Sequence, residues 1–292
     1  MPLNKAQKQA VEYTKGPLLI VAGAGTGKTT VIAEKIAYLI NEKGVKPEEI
    51  LALTFTEKAA QEMVDRVDTL LSTGYLDLHV STFHTFCERL LERYGLDIGL
   101  SNQFRVLTET DAWLLVRKHL YDFDLSYYRP LGNPSKHIHE LLKHFSKCKD
   151  ELITPEEYLS YAEGLQLDGD SIDGSVLNTS EQKRLAEIAN AYHKYNQLLL
   201  DNSCLDFGDL IYYSVQLLQK RPNVLTQLQK RFTYILVDEF QDVNWSQYQL
   251  VRLLAGKDSQ LTVVGDDDQS IYAFRGASVS NILRFNTDFP NA

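Results

Sequence analysis

Long apolar runs are missing from this sequence. No stretch approaches the ~18 consecutive apolar residues that a membrane-crossing helix needs. The opening segment, MPLNKAQKQAVEY, also lacks the apolar core of a secretory signal. Cysteine is scarce: Cys87, Cys148 and Cys204 stand far apart without a CxxC spacing. A disulfide framework and a zinc site are therefore not expected, and a reducing cytoplasm fits. Positive charge is in deficit too, with 30 Lys and Arg against 39 Asp and Glu, a net charge of −9. The balance argues against a surface covered in phosphate-binding residues, but it is compatible with one basic groove on an otherwise acidic, well-solvated surface. Internal repeats and low-complexity tracts are absent as well.

What is present describes a soluble globular protein. The chain has 292 residues, 44% hydrophobic and 24% charged, enough for a substantial core and for two domains. Five short apolar runs read as buried parallel strands: Leu18–Val21, Ile50–Thr54, Leu78–Ser81, Tyr234–Val237 and Leu261–Val264. The third is the most dilute, because His79 and Ser81 interrupt it. Helical patterns follow most of them. Ile32, Ile36, Leu39 and Ile40 share one face, as do Ala60, Met63, Val67, Leu70 and Leu71. This alternation predicts an α/β fold around a parallel sheet. Between Glu109 and Ser203 the periodicity is helical only, with a long amphipathic helix through Leu185, Ile188, Tyr192, Tyr195 and Leu199 and Ser180 as its N-cap. The expected organisation is one α/β domain, residues 1–108 and 205–292, interrupted by an all-helical insertion at 109–204.

Three segments carry the chemistry. AGAGTGKT (Ala22–Thr29) follows a strand and precedes a helix, the context in which such a loop cradles phosphates on its backbone N–H groups. Gly25 and Gly27 let the loop curl, Lys28 would reach the β- and γ-phosphates, and the Thr29 hydroxyl would ligate Mg²⁺. Ala24, Gly25, Thr26, Gly27, Lys28, Thr29 and Thr30 together form the expected nucleotide loop. Asp238 and Glu239 end the apolar strand Tyr234–Val237, and a buried strand ending in two carboxylates implies a cation or a reacting group beside it. Asp238 would hold magnesium; Glu239 would orient and deprotonate the attacking water. Gln269, a few residues past the fifth strand, is placed to touch the γ-phosphate. The expected ligands are ATP and Mg²⁺.

These motifs together resemble the UvrD/Rep/PcrA group of superfamily 1 helicases. LNKAQKQAV is similar to that group's Q motif, in which Gln7 would read the adenine edge, as an amide can. LALTFTEKAAQEM and VSTFHTFCERLL resemble its DNA-contacting motifs, and LDFGDLI resembles the segment that re-enters the first motor domain. VDEFQDVNWSQYQL and VVGDDDQSIYAFRGA resemble its motifs II and III. The resemblance implies a RecA-like P-loop motor domain 1A with a helical domain 1B inserted, and ATP-driven 3′→5′ movement on single-stranded DNA and at single/double-strand junctions. Phe55 and Phe274 would stack on bases, worth about 1–3 kcal/mol per base without sequence preference. Thr54, Thr56, Thr82 and His84 would line the DNA path, and Arg275 would tie it to the nucleotide. For Phe55 and Phe274, burial in the core is the rival reading. Phe274 also stands where the group usually has Trp. The sequence ends at DFPNA, before the group's next motif, so the second motor domain with its arginine fingers is expected to lie outside this chain. Alone, the chain is expected to turn ATP over very slowly. A second reading of the same motifs is a nucleotide-switched DNA-binding module that does not hydrolyse efficiently.

Three weaker patterns remain. His144 and Cys148 lie one helical turn apart, yet His137 and His139 do not complete a tetrahedral set with them. Lys136, Lys143 and Lys147 share a helical face that would meet either DNA phosphates or solvent. The acidic loop Asp168, Asp170 and Asp173 lacks the Gly and Glu of a calcium loop.

Overall fold

The computed structural model describes residues 3–23, 25–71, 78–167, 179–256, 260–266 and 279–292. The chain divides into two compact units, residues 1–90 with 213–292, and residues 91–212. Among the described residues no helix is long and apolar enough to cross a membrane.

The first unit is built on one parallel sheet. Its strands are β1 (Leu18–Val21), β2 (Ile50–Thr54), β3 (His79–Thr82), β6 (Tyr234–Val237) and β7 (Gln260–Gly265), in the order β1-β7-β6-β2-β3. The two-residue strands β4 (Arg105–Val106) and β5 (Cys204–Leu205) belong to the second unit. β2 is buried along its whole length and β6 along all but its first residue, so both read as unbroken apolar runs. β3 starts one residue later than its apolar pattern suggested, at an edge of the sheet, where His79 and Ser81 are tolerated. The helices before and after β2 supply one face of the core. Ile32, Ile36 and Leu39 of α2 (Lys28–Asn41) pack with Met63 and Val67 of α3 (Glu57–Leu71) against Ile50, Leu236 and Val264. The short α1 (Lys5–Glu12) precedes β1, and α4 (Phe83–Tyr94) follows β3 directly. Because every strand runs the same way, the segments after β1, β2, β3, β6 and β7 all emerge at one edge of the sheet, where ligands bind in such folds.

The second unit is helical, as the periodicity implied. It contains α5 (Glu109–Lys118), α6 (Ile138–Asp150), α7 (Pro155–Leu167) and α8 (Thr179–Asp201). β4 and β5 pair in parallel, Arg105 opposite Cys204, so the chain enters and leaves this helical region side by side. Phe145 stacks on Tyr192 and Tyr195 at 5.2 and 5.3 Å, the aromatic centre of its core. Two expectations are corrected. α8 already includes Thr179, so Ser180 is inside the helix and is not its N-cap. α6 begins at Ile138, so Lys136 precedes it while Lys143 and Lys147 lie exposed on it. His144 is held by Tyr158, Nε2 to hydroxyl 2.9 Å. The acidic loop at 168–173 falls outside the described residues.

LDFGDLI has a structural task in this unit. Asp206 and Asp209 cap the start of α9 (Phe207–Lys220) reciprocally, each side chain accepting from the other's backbone N–H at 3.0 and 2.9 Å. Both carboxylates close on Lys149 of α6, at 2.6 and 2.8 Å from Nζ, and the Tyr195 hydroxyl donates to Asp206 at 2.9 Å. Lys149 is 1% exposed. Removing one member of such a cluster leaves buried charges uncompensated, a loss of about 3–5 kcal/mol. Lys149→Ala is therefore expected to lower the urea unfolding free energy by that order. A loss under about 1 kcal/mol, the size of an exposed pair, would show that water reaches the cluster.

Candidate active site

The phosphate loop is built by what its residues cannot do otherwise. The Ala22 N–H bonds to the Gly265 carbonyl at 3.0 Å, extending the β1–β7 ladder to the threshold of the loop. The loop then turns through Gly27, whose φ of 86° lies in the left-handed region open to glycine. α2 starts at the next residue with no side-chain cap, so its first N–H groups are left for an anion. Thr26 braces the turn, its hydroxyl donating to the Gly23 carbonyl at 2.7 Å. Gln7 of α1 reaches the same place and donates from Nε2 to the Thr26 carbonyl at 2.8 Å. Thr30 points elsewhere: its hydroxyl accepts from Arg66 of α3 at 2.8 Å. Ala24 lies outside the described residues.

Three strand ends meet at the loop. Thr29 Oγ1 donates to Asp238 Oδ2 at 3.0 Å, across 209 residues of chain. Asp238 is fixed from behind, because its N–H continues the ladder to the Leu53 carbonyl at 3.0 Å. Lys28, 9% exposed, lies 3.1 Å from Asp266 Oδ2 and 3.8 Å from Glu239 Oε2. Glu239 takes a left-handed backbone conformation, φ 51°, rare for a residue with a side chain. That turn swings the chain from β6 into the tight turn Phe240–Asp242 and brings the Glu239 carboxylate over Lys28. Thr29 and Asp238 are hard oxygen donors a hydrogen bond apart beside a glycine loop, a donor set that suits Mg²⁺.

Burial sets the protonation of the acidic residues. The Asp238 carboxyl is pushed up to about 6, first by desolvation and then by the charge of Glu239, against the Thr29 hydrogen bond. Asp242 is raised to about 6 by the same two causes. One of its oxygens, Oδ1, is buried with no hydrogen-bond partner among the described residues.

Three residues of this site were not singled out in the sequence. Asp266 ends β7 as Asp238 ends β6, and this repetition of a carboxylate at a strand end was the available signal. Gln241 is the second. It donates from Nε2 to Glu239 Oε2 at 2.7 Å and accepts the Asp266 N–H on Oε1 at 2.9 Å, joining two strand ends. Its approach requires a residue without Cβ opposite: a Cβ on Gly265 would sit 3.1 Å from Gln241 Oε1. Asp242 is the third. A polar pair in the buried run DEFQD was the cue for both.

Of the expected DNA-contact residues, the described ones lie at the ends of β2 and β3 and just past them. Thr54 is fully buried and donates to the Thr56 carbonyl at 3.1 Å, while exposed Thr56 caps α3 by accepting the Ala59 N–H. Phe55 is half-buried between them. Thr82 and Thr85 both donate to Glu57 Oε1, at 2.9 and 2.6 Å, which holds the Glu57 carboxyl below its ordinary range. His84 is half-buried, and desolvation lowers its pKa against the pull of Glu57. Gln269, Phe274 and Arg275 lie outside the described residues.

A P-loop at the first strand, an acidic pair at the third position of the sheet and a helical insertion between them define the class. The UvrD/REP helicase N-terminal domain matches residues 3–290, and the chain belongs to that family. It is 42% identical over 291 residues to an ATP-dependent DNA helicase PcrA of Bacillus subtilis, 40% over 290 residues to one of Staphylococcus epidermidis, and 39% over 293 residues to one of Leuconostoc citreum. In each case 99% of this chain is covered, and the chain spans 36% of the relative's length.

Asp238 also yields a stability prediction. A carboxyl whose folded pKa stands above the unfolded value gives stability that is complete below about pH 4 and lost as pH rises through about 6. Asp238→Asn is therefore expected to raise the unfolding free energy of the ligand-free chain at pH 7.5 by about 1–2 kcal/mol. The gain should shrink as pH falls through about 6. A pH-independent gain would mean that the charge is not its origin.

Proposed function

We propose that this chain is the N-terminal motor half of an ATP-dependent DNA helicase or translocase that moves 3′→5′ on single-stranded DNA and acts at single/double-strand junctions in the cytoplasm. The observation that carries it is the meeting of side chains that follow β1, β6 and β7: Thr29 on Asp238 at 3.0 Å, and Lys28 on Asp266 at 3.1 Å and on Glu239 at 3.8 Å. In this reading residues 1–108 and 205–292 form the motor domain and residues 109–204 the insertion.

Lys28 and the N–H groups at the start of α2 bind the phosphates of ATP. Thr29 and Asp238 would hold Mg²⁺, which would neutralise phosphate charge there. Glu239, steadied by Gln241, aligns a water and takes its proton. Gln269 contacts the γ-phosphate. Gln7 reads adenine: its amide keeps one acceptor position and one N–H beyond those bound to Asn4 and Thr26, the complement of adenine N6 and N7. Phe55 and Phe274 stack on bases, Thr54, Thr56, Thr82 and His84 line the strand, and Arg275 couples it to the nucleotide. A second motor domain supplies arginine fingers, worth about 10³–10⁵ in rate, so this chain by itself hydrolyses slowly.

The test is ATPase rate with and without single-stranded DNA, for this chain and for a longer one carrying both motor domains. The longer chain should be stimulated by DNA. A complete lack of stimulation would favour the nucleotide-switched binding module instead. Glu239→Gln should keep Mg-ATP binding and lower turnover by at least about 10²-fold, the scale of general-base catalysis. An equal loss of binding would remove Glu239 from the role of base.

A further inference from the structure

α1 is too short to stand on its own. It has eight residues and buries one of them, Val11, whereas isolated helices need about 12–15 residues to persist in water. Polar ties hold it instead. At its start, Asn4 and Gln7 cap each other: Asn4 accepts the Gln7 N–H at 2.9 Å, and Gln7 Oε1 accepts the Asn4 N–H at 2.8 Å. At its end a lysine from another helix takes over. Lys35 of α2 is 2% exposed and donates to the carbonyls of Ala10, Val11 and Tyr13 at 3.0, 3.5 and 2.5 Å.

An ammonium has three N–H bonds, and these three carbonyls use them all. They are the last carbonyls of a helix, which attract a cation. Burying that charge is costly, and desolvation pulls the Lys35 pKa down to about 8. A buried ammonium serving only backbone oxygens has one evident structural effect: it fixes where α1 ends relative to α2. α2 also carries Lys28 and Thr29 at its first turn. One rigid helix thus grips the phosphate loop at one end and α1 further along.

We propose that Lys35 is a positioning residue for base selection, which locks α1 so that the Gln7 amide faces the purine of the bound nucleotide. The inference rests on the reading of Gln7 as the adenine contact. Adenine offers N6–H as donor and N7 as acceptor, which the free positions of the Gln7 amide match. Guanine offers two acceptors, O6 and N7, and leaves the Gln7 oxygen facing another oxygen. A tilt of α1 would forfeit this discrimination while the phosphate grip through Lys28 persists.

The experiment uses the 292-residue chain and measures displacement of a fluorescent N-methylanthraniloyl-ATP by ATP and by GTP, each with Mg²⁺. Lys35→Met and Gln7→Ala are each expected to reduce the preference for ATP over GTP about tenfold, the scale of one bidentate base contact. The double variant should lose no more preference than either single one. Lys35→Arg, which keeps a donor-rich cation, should restore it. A Lys35→Met variant that weakens ATP and GTP equally, beside a Gln7→Ala variant that loses the preference, overturns the inference alone. A Gln7→Ala variant that keeps the preference overturns the adenine reading and the inference with it. Lys35→Gln, with two donors, carries the same readouts if the methionine variant does not fold, as thermal melting will reveal.

Discussion

The burial of the Lys28 charge beside the carboxylates of Asp266, Asp238 and Glu239 is the constraint on which the remaining architecture depends. A lysine so nearly removed from water persists only with anions or strong dipoles around it. Here these come from β6 and β7, both at the centre of the sheet. The loop after β1 therefore acquires its shape only when strands far away in sequence are in register. Any anion entering the loop competes with Asp266 for the same ammonium. Gln241 in turn ties the Asp266 backbone to Glu239, so the two carboxylates that face Lys28 are joined to each other.

Gln241 and Lys35 show two ways in which buried polar groups hold their neighbours in place. Gln241 uses both halves of one amide, donor to Glu239 and acceptor for a backbone N–H, and leaves Glu239 little freedom to rotate. Lys35 acts on backbone alone. Lys149 does similar service in the second unit, where the capping carboxylates of α9 close on it. In each case a side chain that composition would assign to the surface instead fixes the placement of a helix or of a carboxylate.

The fold was legible because its strands are apolar and its helices periodic. Every expected strand is present to within a residue at each end, β3 being displaced because an edge strand tolerates polar positions. The phosphate loop, Asp238 and Glu239 were legible because glycine and paired carboxylates at strand ends have few other uses. Asp266, Gln241 and Lys35 were not. Their importance arises from partners 22 to 238 residues away, and no local period records such pairings. Ser180 misled for a related reason: a good capping residue next to a helix says nothing of where packing will begin it.

The strand order has a consequence for how the protein is made. β1 and β2 are not neighbours; β7 and β6 lie between them, and these are the last of the five strands to be synthesised. Between Thr82 and Tyr234 roughly 150 residues must be synthesised, which at about 5–20 residues per second takes roughly 8–30 s. Throughout that interval β1 has no partner and the glycine loop no carboxylates. The helical unit, whose residues are complete by then, is free to fold first. The loop and its carboxylates can therefore meet only once β7 is made, so a ribosome-bound chain shorter than about β7 carries the glycine loop without its partners.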